Sequence, residues 1–132
     1  MQDPSQNPRL WQSVLALIRK TFGIVDRYSF YEGKTLIETE WWLSYCSEYP
    51  DLAWARLRVL SDGSADAAFE ERKVYGFDNR EYASYFLGED EYIPFDSINE
   101  QDERDIGAKK ADIALPTWKD PVDVTFEYIG TY

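Results

Sequence analysis

The sequence predicts an α+β fold: an N-terminal amphipathic helix packed on a curved antiparallel sheet of four to five strands, with one further short helix. Apolar residues recur at helical spacing from Leu10 to Phe22, and after Gly23 the apolar period changes to two. The first pattern is typical of an amphipathic helix and the second of strands that bury one face. A chain of 132 residues fits a single domain, residues 1–132, that can bury a sizeable core.

The helical regions begin at residues that commonly cap helices. Residues 1–8 are predicted to form a polar N-terminal arm, and Asn7 followed by Pro8 suits the N-cap and first position of the long helix. The further short helix is predicted over residues 78–88, where the Asp78 carboxylate can cap the first turn.

Five segments alternate apolar and polar residues between turn-forming residues: 24–31, 35–46, 53–60, 65–75 and 122–129. Short turns between the first four favour an antiparallel meander. If Leu43 faces Leu57 in the second hairpin, Trp41 lies on the core face of the sheet. Trp42 then lies on the outer face opposite Arg58, because neighbouring side chains on a strand point to opposite faces.

This order of elements resembles the cystatin-like and nuclear-transport-factor-like α+β architectures. The resemblance rests on one helix followed by an open, one-sided sheet, and no sequence motif accompanies it. Such folds carry many unrelated functions, so the resemblance implies an architecture and no activity.

The single cysteine, Cys46, cannot form an intramolecular disulfide, and the N-terminus has no secretory signal pattern. These features predict a cytoplasmic protein. No apolar run approaches the roughly 20 residues that a membrane-spanning helix needs, so no membrane partner is expected.

The net charge of −11 is concentrated in one segment. Residues 89–105 carry 8 acidic residues and one basic residue, Arg104, which places −7 of the −11 in 17 residues. Nucleic-acid binding depends on clustered Lys and Arg side chains, and the sequence has no such cluster. Nucleic acid is therefore not an expected partner.

Catalytic and cofactor motifs are missing from the sequence. The chain has no histidine, which excludes Ser-His-Asp and Cys-His catalysis and the usual zinc sites. No glycine-rich phosphate loop is present. Glu38 and Glu40 would lie about 6 to 7 Å apart on one strand face, a spacing that some glycosidases use, but an ion-pair lattice with Arg27 and Arg58 is the commoner arrangement. We expect no cofactor and do not favour an enzyme.

A group of aromatic and charged residues on the outer sheet face is the first candidate interaction surface. It consists of Trp42, Trp54, Arg56, Arg58, Arg72, Glu38 and Glu40. Trp and Arg are enriched at protein interfaces. The alternative is that the second helix or residues 91–118, with Trp118, cover this face within the monomer.

The acidic segment is the second candidate. Residues 89–118 are predicted to be irregular, and their acidic and aromatic side chains could dock a basic partner: Glu89, Asp90, Glu91, Tyr92, Phe95, Asp96, Asp102, Glu103 and Asp105. An EF-hand is excluded, because a loop starting at Asp96 has Gln101 where glycine is required. The alternative is a solvated loop whose apolar residues fold back on the core.

Three functions remain open from the sequence. The first is a non-catalytic protein-interaction or assembly factor, whose partner is another protein or a second copy bound through the outer sheet face. The second is a small-molecule-binding protein, or a histidine-free enzyme, with a pocket between the first helix and the concave sheet and with Tyr28, Tyr45 and Tyr128 as polar groups. The third is an acidic immunity or inhibitor protein.

Overall fold

A six-stranded sheet forms the centre of the computed structural model, which describes residues 25–120 and 124–132. The strands are β1 (Leu36–Ser44), β2 (Trp54–Leu60), β3 (Ala65–Glu70), β4 (Lys73–Phe77), β5 (Tyr92–Pro94) and β6 (Thr125–Gly130). Their order is β5-β1-β2-β3-β4-β6, and every neighbouring pair is antiparallel except β4 and β6. The predicted α+β class is confirmed, but the sheet has one strand more than expected and contains one parallel pair.

Helices lie between the strands rather than only before them. The described residues form α1 (Arg27–Tyr31), α2 (Arg80–Glu89) and α3 (Glu100–Ile106), with 3₁₀ turns at Phe95–Ser97 and Lys110–Asp112. None of these helices is long and apolar enough to cross a membrane. The helix predicted over residues 10–22 and the arm predicted over residues 1–8 lie outside the described residues.

The prediction of a strand at 24–31 is wrong, because most of this segment forms α1. Asp26 and Ser29 make a reciprocal capping box: the Ser29 N–H donates to Asp26 Oδ1 at 2.9 Å, and the Asp26 N–H donates to Ser29 Oγ at 3.1 Å. The Phe30 ring is buried and packs on Phe126 with the ring centroids 5.1 Å apart. Alternating aromatic residues over so short a segment fit one helical turn as well as a strand.

The prediction of a single strand at 65–75 is also wrong, because this segment is a hairpin of β3 and β4. Glu70 pairs with Lys73 around the turn residues Glu71 and Arg72. Neither turn residue is Gly, Pro, Asn or Asp, so the usual sequence signal of a tight turn is missing.

The predicted pairing of Leu43 with Leu57 is wrong, because Leu43 faces Trp54 and Trp42 faces Ala55. This register differs by three residues from the prediction, and an odd shift exchanges the faces of one strand relative to the other. Trp42 therefore shares a face with Leu57. The apolar pattern could not choose the register, since β1 carries large apolar side chains on both faces.

Each face of the sheet has its own core. On one face, α2 packs over Trp42, Leu57 and Phe77 through Ala83 and Leu87. We call this the α2 face. The opposite face, the α3 face, buries residues of β1 and of the chain after β5: Leu43, Phe95, Ile98, Ile106 and Ile113. The prediction that residues 89–118 are irregular is therefore wrong, because this segment supplies β5, α3 and the apolar side chains that cover the α3 face.

The boundaries of two further elements differ slightly from the prediction. The N-cap of α2 is Asn79 rather than Asp78, and its side-chain oxygen accepts the Tyr82 N–H at 2.9 Å. The strand predicted at 122–129 is present as β6 from Thr125, and residues 121–123 lie outside the described residues.

Gly76 in β4 allows two aromatic rings to pack against the sheet. A Cβ atom at this position would lie 2.6 Å from Phe126 Cζ and 3.0 Å from Phe30 Cε2. We expect Gly76→Ala to lower the free energy of unfolding by about 1 to 3 kcal/mol, because the rings must move to avoid the added methyl group. Urea unfolding followed by circular dichroism measures this change.

Gly88→Ala is the matched control. Gly88 lies in α2, and no described atom outside its own helical turn comes within 4 Å of the added Cβ. Alanine should stabilise this helix by up to about 1 kcal/mol. Equal effects of the two substitutions would contradict the packing described for Gly76.

Candidate functional site

The residues predicted to form one interaction surface are divided between the two faces of the sheet. Trp42 is only 5% exposed beneath α2, whereas Trp54, Arg56 and Arg58 lie on the α3 face. The prediction that these four side chains share an outer surface is wrong, because the register of β1 and β2 differs from the one predicted. Arg72 lies apart from them, exposed in the turn between β3 and β4.

Glu38 and Glu40 lie on the α2 face, where Arg80 from α2 supplies the counter-charge. Arg80 Nε donates to Glu40 Oε2 at 2.6 Å, and Arg80 Nη2 donates to Glu40 Oε1 at 2.7 Å. The hydrogen bonds that Arg80 donates to Glu40 raise the pKa of Arg80. The lattice expected with Arg27 and Arg58 is therefore not confirmed: Glu40 pairs with Arg80 of α2, whereas Arg58 pairs with Asp66 and Asp120.

A buried ionic group lies at the centre of the α3 face. Asp66 in β3 is fully buried and accepts hydrogen bonds from Arg58 Nε at 3.1 Å, Arg58 Nη2 at 2.7 Å and the Tyr31 hydroxyl at 2.6 Å. Burial, followed by the charge of Asp66, raises the pKa of Tyr31. Burial lowers the pKa of Arg58, but the Asp66 hydrogen bonds and charge outweigh it and the pKa is raised. Arg58 therefore stays charged and Tyr31 stays a hydrogen-bond donor.

Asp120 joins this group to a second arginine. Arg58 Nη1 donates to Asp120 Oδ2 at 2.7 Å, and Arg56 Nη2 lies 3.1 Å from Asp120 Oδ1. Burial opposes ionisation of Asp120, but Arg58 and then Arg56 hold its pKa below the ordinary value. One carboxylate thus bridges two guanidinium groups that are adjacent on the same face of β2. We call Arg56, Arg58, Asp66 and Asp120 the arginine-pair site.

Aromatic side chains cover this site from within the same chain. The Trp118 ring packs edge-on against Trp41 at 5.2 Å between centroids, and Arg56 Cζ lies 6.0 Å from the Trp118 ring centroid. Trp54 packs similarly on Phe95 at 5.3 Å. The sheet face that carries Trp54 and the two arginines is therefore covered within the monomer, and Trp118 is part of the cover.

A cavity of about 480 Å³ opens beside the arginine-pair site. Its lining combines charged and apolar side chains. The charged residues are Arg27, Glu32, Lys34, Arg58 and Asp120, and the others are Tyr28, Tyr31, Leu36, Leu60, Val74 and Val124. Of the tyrosines predicted as polar groups of a pocket, Tyr28 lines this cavity, while Tyr45 and Tyr128 do not. The volume lies within the range of small-molecule sites.

Several residues of the acidic segment are part of the protein interior. Tyr92 packs on the α2-face core, Phe95 is buried in the α3-face core, and Asp102 is buried where it completes the capping box of α3 with Asn99. The Glu103 carboxylate accepts the Lys110 N–H at 2.6 Å. Tyr92, Phe95 and Asp102 therefore do not project as docking groups.

Other acidic residues of this segment remain at the surface. Glu89, Asp90, Glu91, Asp96 and Asp105 are exposed. Glu91 Oε2 accepts the Cys46 thiol at 2.8 Å, and this hydrogen bond raises the pKa of the exposed Cys46. Glu89 accepts the Tyr132 hydroxyl. These carboxylates give this end of the molecule a negative surface.

The edge of β1 that faces away from β2 is paired with another strand along only part of its length. β5 pairs with Trp42, Leu43 and Ser44 at this edge, and no strand within the described residues pairs with residues 36–41 there. Ile37 is 64% exposed and Leu36 is 53% exposed at the beginning of this open edge. An open edge with exposed apolar side chains can accept another strand.

Sequence reasoning missed Tyr31, Asp66 and Asp120 as members of the site. Asp66 gave a usable signal, because it stands alone among Ala65, Ala67 and Ala68 in a strand of small side chains. A carboxylate buried among alanines needs a cationic partner. Nothing in the local sequence connects Asp120 with residues 62 positions earlier.

No protein-family model, no curated protein and no solved structure matches this chain. Within residues 25–120 and 124–132, no three His, Cys, Asp or Glu side chains cluster in a way that could hold a metal ion.

Proposed function

We propose that this protein is a non-catalytic interaction factor that binds a protein partner by accepting an extended segment at the open edge of β1. The observation that carries the proposal is the partly covered edge of β1. β5 pairs with the second part of β1, while residues 36–41 lack a described neighbour on that side. Strand addition to an exposed sheet edge is a recurrent mode of peptide recognition.

Hydrogen bonds at the covered end of β1 show which backbone groups face the open edge. The Ser44 N–H donates to Ala53 C=O on the β2 side at 3.0 Å, and the Tyr45 N–H donates to Glu91 C=O on the opposite side at 3.0 Å. The direction of backbone groups alternates along a strand. The N–H and C=O of Thr39 therefore point toward the open edge, as those of Tyr45 point toward the chain beside β5.

The side chains along this edge favour a partner with basic and apolar residues. Glu38 is exposed, and Leu36 and Ile37 provide apolar surface beside it. Two copies of this chain each carry a net charge of −11, so pairing β1 with a second β1 brings like charges together. The irregularity between Leu36 and Glu38 limits regular pairing to residues 38–41.

The exposed carboxylates of residues 89–105 support the same partner class. They lie near the end of the sheet formed by β5 and would attract a basic partner before it docks. An acidic inhibitor of a basic protein is one member of this class. The N-terminal helix, the cystatin-like order of elements and a cytoplasmic location remain predictions from the sequence alone.

Thr39→Pro tests the proposal, with Thr39→Ala as the matched control. Proline removes the outward N–H but leaves the hydrogen bonds to β2, which the neighbouring residues make. We expect affinity capture from the native source to recover a protein with wild type and Thr39→Ala. Thr39→Pro should bind that protein at least about tenfold more weakly, the effect of losing one well-placed hydrogen bond.

Thr39→Pro and Thr39→Ala should unfold at similar urea concentrations, since Thr39 is exposed and its N–H points to the open edge of β1. A partner that binds Thr39→Pro as tightly as it binds Thr39→Ala would exclude strand addition at this edge. Failure of wild-type protein to capture any protein would exclude the interaction function itself.

A further inference from the structure

We propose that the arginine-pair site binds the carboxylate of a small organic acid whose apolar body occupies the neighbouring cavity, and that Asp120 holds this position in the absence of the acid. The inference concerns the α3 face and does not depend on the proposed function at the β1 edge. It rests on the buried Arg56 nitrogens that lack hydrogen bonds, on the exposed position of Asp120 and on the residues that line the cavity.

Arg56 is the most unusual group at the site. Its side chain is 5% exposed, and Nε and Nη2 are buried and make no hydrogen bond within the described residues. The contact of Nη2 with Asp120 at 3.1 Å is close enough for an ion pair but lacks hydrogen-bond geometry. Two buried guanidinium nitrogens without hydrogen bonds are costly, so this group is suited to receive a better placed acceptor.

Asp120 is the exchangeable member of the site. Its side chain is 51% exposed and follows residues 113–119, which form no helix or strand. Asp66, in contrast, is fully buried in β3 and held by Arg58 and Tyr31. A carboxylate from solution can therefore compete with Asp120 and leave Asp66 in place.

Charge balance within the arginine-pair site favours a single carboxylate. When Asp120 withdraws, Arg56, Arg58 and Asp66 leave a net charge of +1 at the site. One carboxylate restores neutrality within this group, as Asp120 does. The planar guanidinium groups also match a carboxylate geometrically.

The cavity supplies the place for the rest of the ligand. Arg58 and Asp120 lie in its lining beside the apolar side chains of Leu60 and Val74, so the cavity is continuous with the carboxylate position. The lining also includes the charged residues Arg27, Glu32 and Lys34. Its volume of about 480 Å³ accommodates an apolar chain or ring of moderate size. The ligand class is therefore a monocarboxylic acid with an apolar body.

Calorimetric titration with octanoate tests the inference, and octanamide is the neutral control of the same length. Wild type should bind octanoate at least about tenfold more tightly than octanamide, because only the carboxylate can pair with the two guanidinium groups. Asp120→Asn should bind octanoate at least about tenfold more tightly than wild type, because the competing carboxylate has been removed. A residue with only a structural role would not produce this gain.

Two arginine substitutions complete the test. Arg56→Met should weaken octanoate binding about tenfold or more, and Arg80→Met, which removes the same charge beside Glu40 on the α2 face, should leave it unchanged. Binding of octanoate should also change the fluorescence of wild type more than that of Trp118→Phe, since Trp118 packs beside Arg56. Absence of octanoate binding, or equal affinity of wild type and Asp120→Asn, overturns the inference.

Discussion

Replacement of Asp66 by alanine is expected to lower the free energy of unfolding by about 3 to 5 kcal/mol. Asp66 accepts hydrogen bonds from Arg58 and Tyr31 and is fully buried, so its loss leaves two partly buried donors without this acceptor. Only Asp120, half-exposed, would then balance the charge of Arg58. Urea unfolding followed by far-ultraviolet circular dichroism measures the change.

Asp120→Ala provides the comparison for this prediction. Asp120 contacts both arginines, but its side chain is 51% exposed, and solvent screens its interactions. We expect this substitution to cost much less stability than Asp66→Ala. If the two substitutions cost the same, Asp66 is not the main counter-charge of Arg58.

Trp42→Ala should have the second large effect, also about 3 to 5 kcal/mol of unfolding free energy. The Trp42 ring is buried between the sheet and α2, in contact with the cluster that contains Leu57 and Leu87. Removal of the ring leaves a cavity that small neighbours such as Ala55 cannot fill. Thermal or urea unfolding of the purified variant measures the loss.

Trp41→Ala and Trp42→Phe are the controls. Trp41 is partly exposed on the α3 face, so its removal should cost less than removal of Trp42. Trp42 Nε1 is buried without a hydrogen-bond partner among the described residues, and phenylalanine removes this unsatisfied donor while it keeps most of the ring contacts. A larger loss for Trp41→Ala than for Trp42→Ala would contradict the faces assigned to the two rings.

Trp41 and Trp42 also show how far the sequence could be interpreted. Because neighbouring side chains on a strand point to opposite faces, the sequence required that the two rings belong to different sides of the sheet. It did not indicate that both sides are covered. The cover of the α3 face comes from residues 95–118, whose acidic composition is typical of a solvated loop.

The candidate site depended even more on long-range contacts. Arg56 and Arg58 were identified from the sequence as neighbours on one face of β2, and the structure confirms their shared face. Their counter-charges are Asp66 in β3 and Asp120. Tyr31, which also donates to Asp66, comes from a segment that was predicted to be a strand. A hydrogen bond between residues that are distant in the sequence leaves no local pattern.

Residue periodicity alone determined the α+β class, the positions of β1, β2 and β6, and the presence of α2, because each of these elements has a repeat or a cap within a few residues. Tertiary structure decided the register of β1 against β2, the covering of both sheet faces, and the assembly of the arginine-pair site. The physical reason is that register and burial are set by contacts between segments, and several registers of an apolar strand satisfy the local pattern equally well.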